Sequence, residues 1–522
     1  MNKLLDYEIA KEELSFSEKA GQLFMPAAFV NDTEEEIQRL EILIQNHSIG
    51  ALCFFHSRAS AATNYEGKNE VIFNTDSFQT LQTLIARYQG VSKHPLLIAI
   101  DAEWGLAMRI ENTPQYPYAI TLGAIQGNDN LIYEVGRNIA LDCKAAGIHW
   151  NLAPCVDINN NPNNPVIGYR SFGEDKINVA AKALAYVKGT ESEGVLTSIK
   201  HFPGHGDTET DSHLGLPLID KSKEELVENE LFPFQKLIDQ GVDSVMVGHL
   251  SVPALANGQT ISSSISKVII KGLLRGEMGF DGTVISDALN MHAVSKNYPR
   301  KGELEWLAFD AGNDVLCFSE HMVEGIATIL KNASTAQIEE SFQRVWKLKE
   351  KALRSVEMAS RTSSKPETDN KLNRKLAENS LTLLKGKVAD ISTFRNKDFC
   401  TLTIKRASLD KGANEILDSL KEIKTETEQE KDILILLTPP QVKPANNFGL
   451  LKEEIDFINE LIQTKNVVLY LFGNPYVLNH LSIEKTTAVV VAYQTFIEFQ
   501  DVATAHFLGK IKAKGKLPVT IN

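Results

Sequence analysis

Eight short apolar runs, most of them followed by a helical pattern, constrain this chain more than any other feature. They are Gln22–Pro26, Ala51–Phe55, Leu96–Asp101, Ile148–Leu152, Val195–His201, Ser244–Gly248, Thr283–Asp287 and Asp314–Phe318. Runs this short, bounded by turn formers, read as buried strands. Helical patterns lie between them at Glu35–Gln45, Ser77–Tyr88, Leu131–Ala146, Lys176–Glu193, Lys223–Gln240 and Ser266–Met278. Strands buried on both faces and joined by helices form parallel sheets, because each crossover must carry the chain back over a face. Eight such repeats predict an N-terminal (β/α)8 TIM-type barrel. The competing layout is a doubly wound open sheet, which needs a topological switch point. Polar residues favour the barrel. Asp101, Asn151, Lys200 with His201, His249 and Asp287 fall at the C-terminal ends of five different runs, the end where barrels carry their chemistry.

Residues 335–360 read as a long charged amphipathic helix. The stretch Arg361-Thr-Ser-Ser-Lys-Pro-Glu-Thr368 is small, polar and proline-containing, the composition of a linker. Beyond it, the runs Phe399–Ile404, Asp432–Leu437, Val467–Phe472 and Thr487–Tyr493 alternate with helical patterns at Lys411–Ile423, Leu451–Gln463 and Ile497–Leu508. That order predicts a smaller α/β/α sandwich. The expected division is a barrel over 1–360, a linker over 361–369 and a sandwich over 370–522.

A formal net charge of −13 offers no basic surface for phosphate neutralisation and argues against nucleic acid or an anionic membrane as partner. No apolar run approaches the roughly 18 residues that a membrane helix needs. The N-terminus has no apolar stretch of signal-peptide length. The five cysteines, Cys53, Cys143, Cys155, Cys317 and Cys400, are dispersed and odd in number. This suits free thiols in a reducing compartment, so a cytoplasmic location is expected.

The fifth run ends in Lys200-His201 and opens a loop, Phe202-Pro-Gly-His-Gly-Asp-Thr-Glu-Thr-Asp-Ser-His213. Proline and glycine break any regular element there, and over Lys200–His213 three imidazoles, His201, His205 and His213, accompany Asp207 and Asp211. Asp211 stands two residues before His213. A histidine that moves protons needs a partner to fix its tautomer and orient its ring, and a carboxylate does this.

The string from Lys200 to His213 resembles the signature of the β-N-acetylglucosaminidases of glycoside hydrolase family 3. The run Val284-Ile-Ser-Asp287-Ala-Leu-Asn-Met291 is similar to that family's nucleophile motif. Asp101 in Asp-Ala-Glu-Trp-Gly105 and Arg170 in Arg-Ser-Phe-Gly173 match its sugar-binding motifs, although Trp104 stands between Glu103 and Gly105 where the family pattern has none. The resemblance implies a retaining β-N-acetylglucosaminidase, with Asp287 as nucleophile, His213 as acid/base and Asp211 as its orienter. It implies Asp101, Arg170, Lys200 and His201 as substrate-binding residues, and no metal or organic cofactor. By analogy the substrate is a small N-acetylglucosaminide such as a cell-wall fragment, met in peptidoglycan recycling.

Rival readings remain at this stage. Phosphate in place of water would make a phosphorylase with the same residues, since a histidine acid/base repels an anion less than a carboxylate does. A β-glucosidase of the family takes its acid from the second domain and lacks the Asp-x-His loop. A metal-dependent amidohydrolase has ligand types available in His201, His205, His213 and Asp211, but it characteristically carries a His-x-His in the first strand, and Gln22–Phe29 has no histidine. A sugar-binding protein without turnover is the remaining class.

Overall fold

The computed structural model describes residues 3–58, 73–208, 215–357, 367–405 and 431–521. They fall into two compact units. The first comprises 1–116, 132–158 and 183–368, and the second 117–131, 159–182 and 369–522. The expected boundary near residue 360 leaves out the two earlier segments of the second unit. The first belongs there because Ile120 and Ala124 bury their side chains in its apolar core, and Tyr169 of the other packs against the same core. Most of the expected linker, 361–369, and the helical pattern Lys411–Ile423 lie outside the described residues.

The strands of the first unit are β1 (Phe24–Met25), β2 (Ala27–Phe29), β3 (Ala51–Phe55), β4 (Leu97–Ile100), β5 (Trp150–Asn151), β6 (Leu196–Thr197), β7 (Ile199–Phe202), β8 (Ser244–Val247), β9 (Thr283–Ser286) and β10 (Leu316–Cys317). Every pairing among them is parallel. β2 to β6 form one five-stranded sheet, β7 to β9 a three-stranded sheet, and β1 pairs with β10. A single residue separates β1 from β2 and β6 from β7, and a bridge joins Ile285 to Val315. β3, β4, β8 and β9 are buried along their whole length, as parallel strands covered on both faces must be.

The helices follow the periodicity closely, with two departures. The pattern at Lys223–Gln240 breaks into Lys223–Glu228 and Leu231–Ile238. At the break the buried Glu230 carboxylate meets Lys221 at 2.7 Å. The segment Val268–Glu277 winds as a π-helix, and the amide of Met278 donates to the carbonyl of Leu273 at 2.8 Å.

In the second unit β11 (Thr382–Lys385), β12 (Cys400–Lys405), β13 (Asp432–Thr438), β14 (Asn466–Leu471) and β15 (Ala488–Val491) lie in the order β11-β15-β14-β13-β12. β11 runs antiparallel to β15 and the other pairings are parallel. Ile433, Ile435 and Leu437 share a core with Ile458 and Leu461 of the helix Lys452–Thr464. Among the described residues no helix is long and apolar enough to cross a membrane.

One buried group of the first unit carries a stability prediction. Lys349 is fully buried, and its ammonium donates to Gln22 Oε1 at 2.5 Å. Burial pulls its pKa down to about 7. Between that value and the roughly 10.4 of a free lysine the unfolded chain binds more protons, so stability rises with pH across this window. Lys349→Met removes the buried amine at similar volume and is expected to stabilise the fold by about 1–4 kcal/mol, more at pH 6 than at pH 9. Thermal melts at both pH values check this, and a variant that melts lower at both contradicts it.

Candidate active site

Asp101 directly follows β4, and its loop is held from the next strand. Asn151 Oδ1 accepts the Ala102 amide at 3.0 Å, while Asn151 Nδ2 and the Tyr186 hydroxyl donate to the Ala102 carbonyl at 3.3 and 3.1 Å. The peptide between Asp101 and Glu103 is thereby fixed. Gly105 turns the chain at φ +105°, and a Cβ there would lie 2.6 Å from the Pro114 carbonyl oxygen, so only glycine fits the turn. Trp104 precedes it and accepts the Tyr116 amide at 2.9 Å through its carbonyl.

Lys200 joins the two carboxylates of this loop, at 2.8 Å from Asp101 Oδ1 and 2.8 Å from Glu103 Oε1. Arg109 donates to the other oxygen of Asp101 at 2.7 Å, and its guanidinium lies 5.1 Å from the centre of the Phe55 ring. Burial pushes the Asp101 carboxyl up, but Lys200 and Arg109 outweigh it and hold it down to about 2. Two cations and two carboxylates cancel. The cluster is therefore a dense, net-neutral set of donors and acceptors, which suits hydroxyl groups better than a charged ligand.

His201 is oriented from beneath by Asp157, which is wholly buried. Asp157 accepts the His201 amide at 3.1 Å, His201 Nδ1 at 2.8 Å and the His205 amide at 2.7 Å. Burial raises the Asp157 carboxyl, yet His201 and His205 bring it below its ordinary value. Gly248 leaves the space for this arrangement, since a Cβ there would sit 3.0 Å from His201 Cβ. His205 Nδ1 donates to Thr208 Oγ1 at 2.7 Å, and that hydroxyl donates back to the His205 carbonyl. Cys155, Asp157 and His201 bring one ligand-type atom each within 4.8 Å of one another. The Asp157 oxygens already accept three N–H groups, which is the pattern of a carboxylate positioning a histidine.

Asp287 follows β9. Its amide donates to the Val247 carbonyl at 2.9 Å, and its Oδ1 accepts the Ala288 amide at 2.8 Å. The Ala288 carbonyl accepts His249 Nε2 at 2.9 Å, and His249 Nδ1 accepts the Ser264 hydroxyl at 2.8 Å. Asn313 in turn donates to the Ser264 carbonyl at 2.8 Å. A chain of buried hydrogen bonds thus sets the backbone on which Asp287 stands. The Cys317 thiol on β10 is pushed well up by its contact with Cys53, by burial and by the charges of both Asp287 and Asp101. It therefore feels both carboxylates.

Of the residues expected from sequence, Asp101 and Lys200 touch, His201 adjoins Lys200 in the chain, and Asp287 stands at the end of β9, with β8 between it and β7. Asp211 and His213 lie outside the described residues. Just before them, Asp207 binds Lys221 at 2.7 Å. Arg170 belongs to the second unit, in the turn Gly168–Arg170, where Nη1 donates to the Val166 carbonyl at 3.3 Å. Arg109 and Asp157 are additions that sequence reading missed. Asp157 follows an apolar run after Asn151, much as Asp287 follows its strand, and that is the signal that could have found it.

Residues 15–348 match the profile of the Glycosyl hydrolase family 3 N terminal domain. The chain is 33% identical over 378 residues to β-hexosaminidase A of Pseudoalteromonas piscicida, covering 66% of this chain and 61% of that enzyme. It therefore spans less than two thirds of that relative's length. It is 33% identical over 303 residues to a β-hexosaminidase of Neisseria meningitidis, covering 57% of this chain and 77% of that one. A solved family 3 β-N-acetylglucosaminidase from Paenibacillus superposes over 98% of this chain and 99% of its own, with TM-score 0.78 and 27% identity. With a profile match over most of the chain, and with these polar residues mounted at parallel strand ends, the chain belongs to glycosyl hydrolase family 3.

Proposed function

We propose that the chain is a retaining exo-β-N-acetylglucosaminidase that removes terminal N-acetylglucosamine from small β-glycosides, cell-wall fragments among them. The observation that carries this reading is the neutral Asp101–Glu103–Lys200–Arg109 cluster, with Asp287 at the end of β9 of the same unit, in a chain akin to β-hexosaminidases. The parallel pairing of β1 with β10 and the bridge from Ile285 to Val315 support a closed (β/α)8 barrel in the first unit. The sheet of the second unit supports an α/β/α sandwich there. A cytoplasmic location is part of the same reading and rests on the five dispersed, unpaired cysteines.

In this mechanism Asp101, Lys200 and His201 hold the sugar hydroxyls. His213, oriented by Asp211, protonates the glycosidic oxygen while Asp287 attacks the anomeric carbon. Neutral His213 then takes a proton from the water that opens the glycosyl-enzyme. Two groups with different tasks suffice, and an imidazole, whose unperturbed pKa is about 6.5, can both give and take a proton near neutrality.

The test is turnover of a chromogenic N-acetyl-β-glucosaminide against the matching glucoside, with and without phosphate. The expected result is release from the N-acetyl substrate at a rate independent of phosphate, and little from the glucoside. Free glucosamine derivative replaced by its 1-phosphate would instead make the enzyme a phosphorylase. Preference for the glucoside would make it a glucosidase.

A further inference from the structure

The second unit holds a cavity of about 240 Å³ that none of the chemistry above uses. It lies over the C-terminal halves of β12, β13 and β14. The register explains its lining. Thr403 pairs with Leu436, and Leu436 with Tyr470, so the three form one row across three strands. Lys405 pairs with Thr438 two residues further along, on the same face. The helix Ile497–Phe507 walls the cavity with Phe507. The opposite face of the sheet is packed against Lys452–Thr464. The Tyr470 ring is anchored by a 2.8 Å hydrogen bond between its hydroxyl and His506 Nδ1.

The chemistry of the walls is one-sided. Leu436, Tyr470 and Phe507 supply an apolar floor and side, while Thr403, Thr438 and Lys405 supply a polar rim at the strand ends. Among the described residues that line it there is no Asp or Glu, in a chain whose net charge is −13. The carboxyl ends of parallel strands are where open α/β sheets take their ligands. The volume is somewhat below the roughly 300–1,000 Å³ of pockets for drug-sized molecules.

We propose that this cavity is a binding site for a small apolar monoanion, an aromatic or short aliphatic carboxylate. Its body lies on Leu436, Tyr470 and Phe507, and its carboxylate meets the Lys405 ammonium and the Thr438 hydroxyl. Burial of the ring supplies affinity, and the lysine supplies the preference for the anion over its neutral analogue.

Calorimetric titration of the full chain with phenylacetate, and with phenylacetamide as the neutral counterpart, tests this. Saturable one-to-one binding of phenylacetate is expected, with Kd of about 1 mM or tighter for a ligand of that size. Phenylacetamide should bind about tenfold more weakly. Lys405→Met, a change at an exposed position, should weaken phenylacetate to the level of the amide and leave the amide unchanged. Leu436→Trp fills the cavity and should abolish both. Neither variant should alter turnover of the chromogenic N-acetylglucosaminide. Absence of saturation with the wild-type chain overturns the site. Equal affinity for acid and amide overturns the anionic class. Retained binding in Leu436→Trp, shown folded by its unchanged turnover, places the ligand elsewhere and overturns the proposal.

Discussion

Asp287→Asn is expected to lower kcat on an N-acetyl-β-glucosaminide by about 10⁴-fold or more, the scale seen when a covalent nucleophile is removed, with the melting temperature nearly unchanged. The reason lies in what the substitution leaves intact. Asparagine has the same shape, and its Oδ1 can still accept the Ala288 amide that Asp287 accepts at 2.8 Å. The Asp287 amide still reaches the Val247 carbonyl, and His249 still fixes the Ala288 carbonyl. The backbone is set by β9, buried along its length, and only the nucleophilic charge is lost. A 2-fluoro sugar with a good leaving group should label the wild-type chain at Asp287 and leave the variant unlabelled by mass. An adduct on another carboxylate, Glu103 for example, would move the nucleophile there. A wild-type chain that turns over but never takes the label would point instead to attack by the substrate's own acetamido group.

The parts of this site that were legible in sequence are those whose signal is local. A polar residue at the end of an apolar run is visible without knowing what it faces, and that rule found Asp101, Lys200, His201 and Asp287. Arg109 and Asp157 were harder because their meaning is tertiary. Arg109 lies in an irregular stretch beyond the Gly105 turn, and only folding brings it to 2.7 Å from Asp101. Asp157 gains its role from two histidines more than 40 residues later in the chain. The same limit explains the fold. Strand positions were readable because burial on both faces leaves continuous apolar runs. The break at Asn229–Glu230 was not, because the Glu230 carboxylate turns to Lys221, a partner outside the helix. Nor could periodicity tell that Ile120 and Ala124 serve the second unit's core, since an apolar stripe does not name the surface it covers.

Asp157→Asn is the second large effect expected, and it separates positioning from chemistry. The carboxylate accepts two backbone amides and the Nδ1–H of His201 at once. An asparagine has one acceptor oxygen, so its Nδ2 must face at least one of those N–H groups, donor against donor. Leaving buried donors unpaired and removing the charge should cost about 3–5 kcal/mol of stability. The pH dependence has a definite sign. Because His201 and His205 hold the Asp157 carboxyl below its ordinary value, its contribution is present above the roughly 3.9 of an unfolded aspartate and is lost as pH falls through the lower, folded value. The variant should therefore lose stability at neutral pH and show a flatter acid limb in chemical denaturation. Its activity should fall through KM more than through the nucleophilic step. His201 would lose the partner that sets its ring, while Asp287 and its supports stay in place. A drop of about 10²-fold in kcat/KM fits the loss of charge-assisted hydrogen bonds worth roughly 1.5–3 kcal/mol each, and 2-fluoro labelling at saturating probe should proceed nearly as in the wild type. If Asp157→Asn keeps KM while labelling slows a hundredfold, His201 acts on the reacting bond and not on the bound sugar. The division of labour between the Lys200–Asp101 cluster and Asp287 would then have to be redrawn around the imidazole.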